Sequence, residues 1–359
     1  MTWLGEQLGR IADDMPERDL GARAMAVHQR RRRNFRALTA AAVVVVTLIV
    51  ITVGVRVLPA EPRAAARPSS PPELSAITVG VLPTVESAPV FVAMVRGYFQ
   101  EEGLTVKTSI VSGAAAAMPQ ATSGRLDLAQ SDYATLFQAN AGGGDFKIAA
   151  SLYQAAPGSF AVVVNAKSKI RTVADLKRKK VAVPNLVGLG RLALNAMLKR
   201  AGLTPKDVML VETPYPDMIS ALGRGHTDAA LLAEPFVTLG RDAGRTRIVA
   251  DMMTREFANL YTAGMMATDQ WVRENPRTLA AFQRALAKAQ RLIASDPQQV
   301  RDVLPHYIKL SKAEAAGITF GSYPAKLNMT ELQRVADLAH AHKMIKRPAD
   351  LRSAVVQGG

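Results

Sequence analysis

The sequence predicts an α/β protein with largely parallel sheets, set behind a single membrane-spanning helix. Two observations carry the fold class. From Ala76 onward, short β-branched runs alternate with amphipathic stretches that stop at glycine, the pattern of strands joined by helices. Hydrophobic residues make up 48% of the 359, the share of a chain that packs a core and far above that of a disordered one. A third observation adds the helix in front: residues 37–55, ALTAAAVVVVTLIVITVGV, carry no charge, and about 20 apolar residues span a bilayer core.

Taken in order, residues 1–36 form a basic leader and 37–58 the membrane anchor. Arg30, Arg31, Arg32, Arg33 and Arg36 precede the anchor, so the positive-inside rule leaves 1–36 in the cytoplasm and everything beyond 58 outside the cell membrane. A cleaved signal peptide is the rival reading, but the apolar core is longer than such peptides use. Residues 59–75, rich in Pro, Ala and Ser, read as an extended tether. Strands are then expected over 77–82, 104–111, 126–130, 147–153, 160–165, 180–183, 208–212, 229–232, 247–250 and 263–268. Helices are expected over 89–102, 114–123, 133–141, 173–179, 191–201, 217–223 and 236–243. From 269 the chain turns mostly helical, over 269–274, 276–295, 297–304, 312–320 and 330–342. No internal sequence repeat is visible.

Composition excludes several functions. The chain has no cysteine, which removes a disulfide scaffold, a thiolate zinc site and a cysteine nucleophile. Its net charge of +15 is spread along the chain, and aromatics at 5% make a stacking platform for nucleic acid a poor expectation. The densest basic stretch, 167–180, reads as a solvated face. The five histidines show no metal-ligand spacing except the weak pair His340 and His342, which, two residues apart on a helix, do not share a face. No Gly-x-Ser-x-Gly elbow, phosphate loop or His-Glu-x-x-His is present, and GLGRLA lacks the third glycine of a dinucleotide turn. No enzyme, cofactor or metal is expected.

The segment ITVGVLPTVESAPVFVAMVRGYFQEEGLTV, with Ala88-Pro89 after the first strand and then GYFQEEGL, resembles the opening of the nitrate/sulfonate/taurine-type substrate-binding proteins of ABC importers. That family shares a superfamily with thiamine-pyrimidine synthases. SGAAAAMPQATSGRLDLAQSD, TVADLKRKKVAVPN and PYPDMISALGRGHTDAALLAEPF follow in the family's order. The resemblance covers about 76–350. It implies a two-lobed, periplasmic-binding-protein-like (type II) fold with a cleft between the lobes, lobe one spanning 76–160 plus 266–355 and lobe two 161–265. It further implies a small organic anion or zwitterion as ligand, captured by closure, and permease and ATPase subunits as partners. A thiamine-pyrimidine precursor as ligand and a membrane-anchored sensor are the alternatives. The synthases' cysteine-rich stretch is missing.

The residues themselves single out loops at the carboxyl ends of strands, where ligands of such sheets sit. Gly113 and Ala114 open a helix whose free N–H groups suit an anion, with hydroxyls from Ser112, Ser131 and Tyr133 nearby. Gly188, Gly190 and Arg191 offer a second helix start, beside Asn185. Thr84, Glu86 and Ser87 share the loop after the first strand, and Tyr215 and Glu234 sit on loops of the second half. Glu86 and Glu234 favour a cationic or N–H-donating end on the ligand. Tyr153, Tyr215 and Tyr261 are cleft aromatics, or else packing residues. Asp132 serves equally well as helix cap or ligand contact.

Overall fold

The structure of the protein, a computed structural model, describes residues 70–356. The leader (1–36), the expected membrane helix (37–58) and the tether up to residue 69 lie outside the described residues. Among the described residues no helix is long and apolar enough to cross a membrane.

Among the described residues ten strands form two five-stranded sheets. They are β1 (Ala76–Val81), β2 (Thr105–Ile110), β3 (Leu128–Asp132), β4 (Phe146–Gln154), β5 (Phe160–Asn165), β6 (Lys180–Val183), β7 (Met209–Glu212), β8 (Ala229–Ala233), β9 (Thr246–Asp251) and β10 (Tyr261–Thr268). The first sheet runs β2-β1-β3-β10-β4 and the second β7-β6-β8-β5-β9. In each, β1, β2 and β3 or β6, β7 and β8 pair in parallel, and one strand, β10 or β5, lies antiparallel in fourth place. Every strand of a set of βαβ units ends on one edge of its sheet, and the two edges face each other.

The chain crosses between the sheets twice. The first crossing is 155–159. The second is 252–260, and Ala155 N–H donates to Leu260 O at 2.9 Å, tying the two together. The expected lobe boundary near 265 is corrected here. β10 pairs with β3 and β4 along its length, so Tyr261 to Met265 belong to the first sheet. Its antiparallel direction follows from entering that sheet from the far lobe.

Other expectations change as well: 173–179 holds only the 3-10 turn Val173–Leu176, and the helix expected over 312–320 ends at Ala316. The helix expected over 89–102 is two, Ala88–Val95 and Tyr98–Glu101, because Gly97 at φ 73° adopts a left-handed turn that no continuous helix holds. The tether does not run free to residue 75. Helix Pro276–Ser295 begins at a proline and makes no side-chain cap of its own. Glu73 fills that end instead, its carboxylate accepting from Arg277 N at 3.0 Å and Thr278 N at 2.7 Å. Burial works against ionisation there, but these backbone hydrogen bonds hold the Glu73 carboxyl down at about 2. Glu73→Ala is expected to remove about 1 kcal/mol of stability at neutral pH. The group is depressed in the folded state, so its contribution is whole above pH 4.5 and lost as pH falls through about 2. Urea melts of the two proteins from pH 7 to pH 2 check this, with midpoints expected to converge at the acid end.

Candidate functional site

The edges at which the strands end meet at a cavity of ≈ 50 Å³ between the two sheets. That is room for a few water molecules, so the cleft is shut. The first sheet presents Leu82, Glu86, Ala114 and Asp132 to it. The second presents Phe160, Asn185, Leu189, Gly190, Tyr215 and Leu231, and the second crossing adds Met252 and Met253.

Glu86 sits on the loop after β1, and two tyrosines from the carboxyl-terminal half hold that loop. Tyr307 donates its hydroxyl to Thr84 O and Tyr323 to Val85 O, both at 2.9 Å. The Glu86 carboxylate accepts from Thr262 Oγ1 at 2.9 Å and, more loosely, from Gln130 Nε2 and Thr84 Oγ1. Burial raises its carboxyl to about 7, with the charge of Asp132 adding to the rise against these hydrogen bonds. Among the described residues no Lys, Arg or His lines the cavity. The other polar groups on it are Asp132, Asn185 and the Tyr215 hydroxyl. A unit anion about 4 Å from a carboxylate is repelled by roughly 4 kcal/mol at an effective dielectric of about 20, and a cation is attracted by as much. The cavity's electrostatics therefore favour positive charge.

The lobes close on each other through helix starts. Asp132 caps its own helix, Tyr133–Ala141, by accepting from Thr135 N at 2.8 Å, and it also accepts from Leu189 N of the second lobe at 2.9 Å. Asp132 therefore caps two helices in two lobes. Burial raises its carboxyl despite these bonds. Gln138 Oε1 accepts from Gly188 N at 2.8 Å. In the other direction, Asn185 Oδ1 accepts from Ala115 N at 3.3 Å, in the first turn of helix Ala114–Thr122. At each of the two helix starts expected to bind an anion, one or two backbone N–H groups are thus taken by the protein's own side chains in the closed form. Local sequence suggested free N–H groups, and residues about 60 positions away supply their acceptors.

The remaining expected site residues have other positions. Thr84 and Ser87 are buried beneath the cavity, with Ser87 Oγ bonded to Leu82 O at 2.7 Å. Ser112 is exposed. Ser131 Oγ turns to Asp132 O, and Tyr133 is buried with its hydroxyl 3.5 Å from Ser151 Oγ. Tyr153 is a packing residue whose hydroxyl accepts from Gly321 N. Tyr261 lies buried at the start of β10. Arg191 directs its guanidinium to Leu186 O, at 2.8 Å, away from the cavity. Glu234, before a cis bond to Pro235, uses its carboxylate to cap Thr238, from N at 3.0 Å and from Oγ1 at 2.7 Å. None of these lines the cavity. Conversely, the apolar wall of Leu82, Phe160, Leu231, Met252 and Met253 was missed, because apolar residues at strand ends look like core. The pair of methionines just after β9 was the one available signal.

Two glycines sit where the lobes touch. A Cβ on Gly188, which has φ +82°, would stand 2.0 Å from Thr135 Oγ1, and one on Gly113 would stand 2.1 Å from Asn185 Oδ1 and 2.9 Å from Pro184 O. Gly113 itself has an extended backbone, φ −178°, that any residue adopts. Gly113→Ala therefore acts across the cleft alone. It is expected to hold the lobes apart, raising the radius of gyration in small-angle scattering while the circular dichroism spectrum stays unchanged.

The family profile described as "NMT1/THI5 like" matches residues 84–300, more than half of the chain. The riboflavin-binding protein RibY of Chloroflexus aurantiacus is 25% identical over 259 residues, covering 69% of this chain and 71% of that protein. The nitrate import ATP-binding protein NrtC of Synechococcus elongatus is 28% identical over 267 residues, and the chain spans 40% of its length and aligns over 69% of its own. Among solved structures, the alkanesulfonate-binding protein SsuA of Xanthomonas axonopodis pv. citri, bound to MOPS, superposes with a TM-score of 0.66 at 19% identity, covering 79% of this chain and 99% of that one. The two-sheet architecture is that of periplasmic binding proteins, and the chain belongs to the NMT1/THI5-like family.

Proposed function

We propose that the protein is the solute-binding component of an ABC importer. It captures a small polar metabolite between its lobes by closure and presents the closed form to a permease and ATPase. The observation that carries this reading is the enclosed cavity at the meeting edges of two separate sheets, lined from both. A ligand touching both lobes favours the closed state by its differential affinity for it. The cavity as closed, ≈ 50 Å³, is far smaller than the usual ligand pocket of roughly 300 Å³ or more, so both entry and occupancy by a solute require the lobes to stand further apart than they do here. The names of RibY, NrtC and SsuA support uptake of small solutes. No covalent step is part of this reading.

The ligand expectation narrows. A simple oxyanion such as nitrate would compete with Asn185 and Asp132 for the Ala115 and Leu189 N–H groups, whereas a zwitterion or a donor-rich molecule would also find the Glu86 carboxylate. The binding lobes are proposed to face the outside of the cell membrane, tethered by residues 37–58, a placement that keeps them at high effective concentration near the permease. Protease shaving of intact cells tests the placement: loss of the carboxyl-terminal part supports it and full protection overturns it.

Binding itself is tested by scanning fluorimetry of the full chain in detergent against sulfonates, nitrate, flavins, pyrimidines and amines. A saturable rise in melting temperature is expected with at least one class, since ligand at about 100 times Kd adds roughly 2.7 kcal/mol. No stabilisation by any class overturns the reading.

A further inference from the structure

The cavity's two walls differ in kind. The first lobe offers the carboxylates of Glu86 and Asp132, with the backbone of Ala114 beside them. The second offers neutral donors: the Asn185 side-chain amide, whose Nδ2 has no hydrogen-bond partner among the described residues, and the Tyr215 hydroxyl, likewise without one. Asn185 is 7% exposed and Glu86 6%, so both are largely withdrawn from water in the closed form. The two carboxylates repel each other, and the phenols of Tyr133, Tyr153, Tyr215, Tyr307 and Tyr323, which burial keeps in their neutral form, bring Glu86 no compensating charge. A buried carboxylate normally has a cationic partner or strong donors, and Glu86 has three neutral ones, two of them at 3.3 Å or longer.

Resting on the solute-binding reading, we propose that the solute carries a positively charged nitrogen group, an amine, amidine or guanidine, which lodges against Glu86 on the first lobe, while an acceptor on the same molecule takes the Asn185 amide and Tyr215 hydroxyl of the second. Such a molecule bridges the lobes with opposite ends, which is what drives closure. Its carbon body lies along Leu82, Phe160, Leu231, Met252 and Met253, the apolar part of the wall. Sulfonates and nitrate, being anionic where the cavity is acidic, are rejected unless they also carry a cation.

The test uses the full chain in detergent with three probes of one shape: benzamidine (cationic), benzamide (neutral) and benzenesulfonate (anionic). Benzamidine is expected to bind saturably by calorimetry and to raise the melting temperature. Benzamide should bind at least tenfold more weakly, and benzenesulfonate should give no shift. Glu86→Gln should weaken benzamidine at least tenfold and leave benzamide unchanged, with the variant's own unliganded melting curve showing that it folds. Benzamidine affinity should also rise with pH through about 7, as Glu86 ionises. Preference for benzenesulfonate, or benzamidine binding indifferent to Glu86→Gln, overturns the cationic assignment and leaves solute binding standing. If none of the three probes binds and the broader panel gives no stabilisation either, both readings fail.

Discussion

Glu86→Gln is expected to make the unliganded protein more stable at neutral and alkaline pH. The wild-type carboxyl titrates near 7 in the folded state against 4.5 in the unfolded one, chiefly because it is buried and then because Asp132 is close. The folded state therefore binds more protons between pH 4.5 and 7, and stability falls as pH rises through that window. Above pH 7 the whole penalty is present, roughly 3 kcal/mol at about 1.4 kcal/mol per unit. Below pH 4.5 both states are protonated and the penalty vanishes. Glutamine has the same shape and no charge, and the Thr84 and Thr262 hydroxyls can rotate to accept from its amide. The difference in melting temperature between the variant and wild type should be several degrees at pH 8 and should shrink to nothing by pH 4. A variant less stable than wild type at pH 8 would show that the carboxylate is needed for packing. A group that costs stability in this way fits a binding role, and of the two burial-raised carboxyls on the cavity wall, Glu86 is the one that caps no helix start, since Asp132 is taken by Thr135 and Leu189.

Much of the framework is legible in the sequence because it depends on near neighbours. Asp132 before Tyr133 marks a helix start and Pro276 another, and both helices begin where those residues place them. The β-branched runs mark strands. An apolar run has no direction, however, and nothing local in Phe160–Asn165 or Tyr261–Thr268 says that these two strands insert antiparallel. For the same reason the common strand order of the two sheets leaves no trace as a sequence repeat: topology is repeated, while the side chains that fill each core are not. In the site, Glu86, Ala114, Asn185, Gly190 and Tyr215 were readable as polar or small residues on strand-end loops. The reading of the helix starts as anion sites went astray for a physical reason. A free N–H group is a local property, but what satisfies it is not. Asp132 reaches Leu189 and Asn185 reaches Ala115 only once the two lobes have met.

That shared use of Asp132 makes it one of the residues that hold the lobes together, beside Glu234, whose backbone O accepts from Val85 N at 3.1 Å and whose carboxylate accepts from Thr319 N at 3.4 Å. Asp132→Ala is expected to remove the cap of helix Tyr133–Ala141 and the cross-lobe acceptor of Leu189 N together. The first loss weakens the fold by about 1 kcal/mol whether the lobes are open or shut. The second is felt only in the closed form, where Leu189 N would be left buried without a partner, at roughly 1–3 kcal/mol. In the open form water satisfies it. The closed-to-open ratio should therefore fall about tenfold, because 1.4 kcal/mol is a factor of ten in an equilibrium. Amide hydrogen exchange separates the two effects. Protection at Thr135 should fall modestly along with global stability. Protection at Leu189 should fall further, and scattering should show a larger radius of gyration. Asp132→Asn keeps an acceptor in the same place and removes the charge that burial disfavours, so it should retain most of the Leu189 protection. Equal loss of protection at both amides in the alanine variant would mean that Asp132 is a cap for its own helix and nothing more.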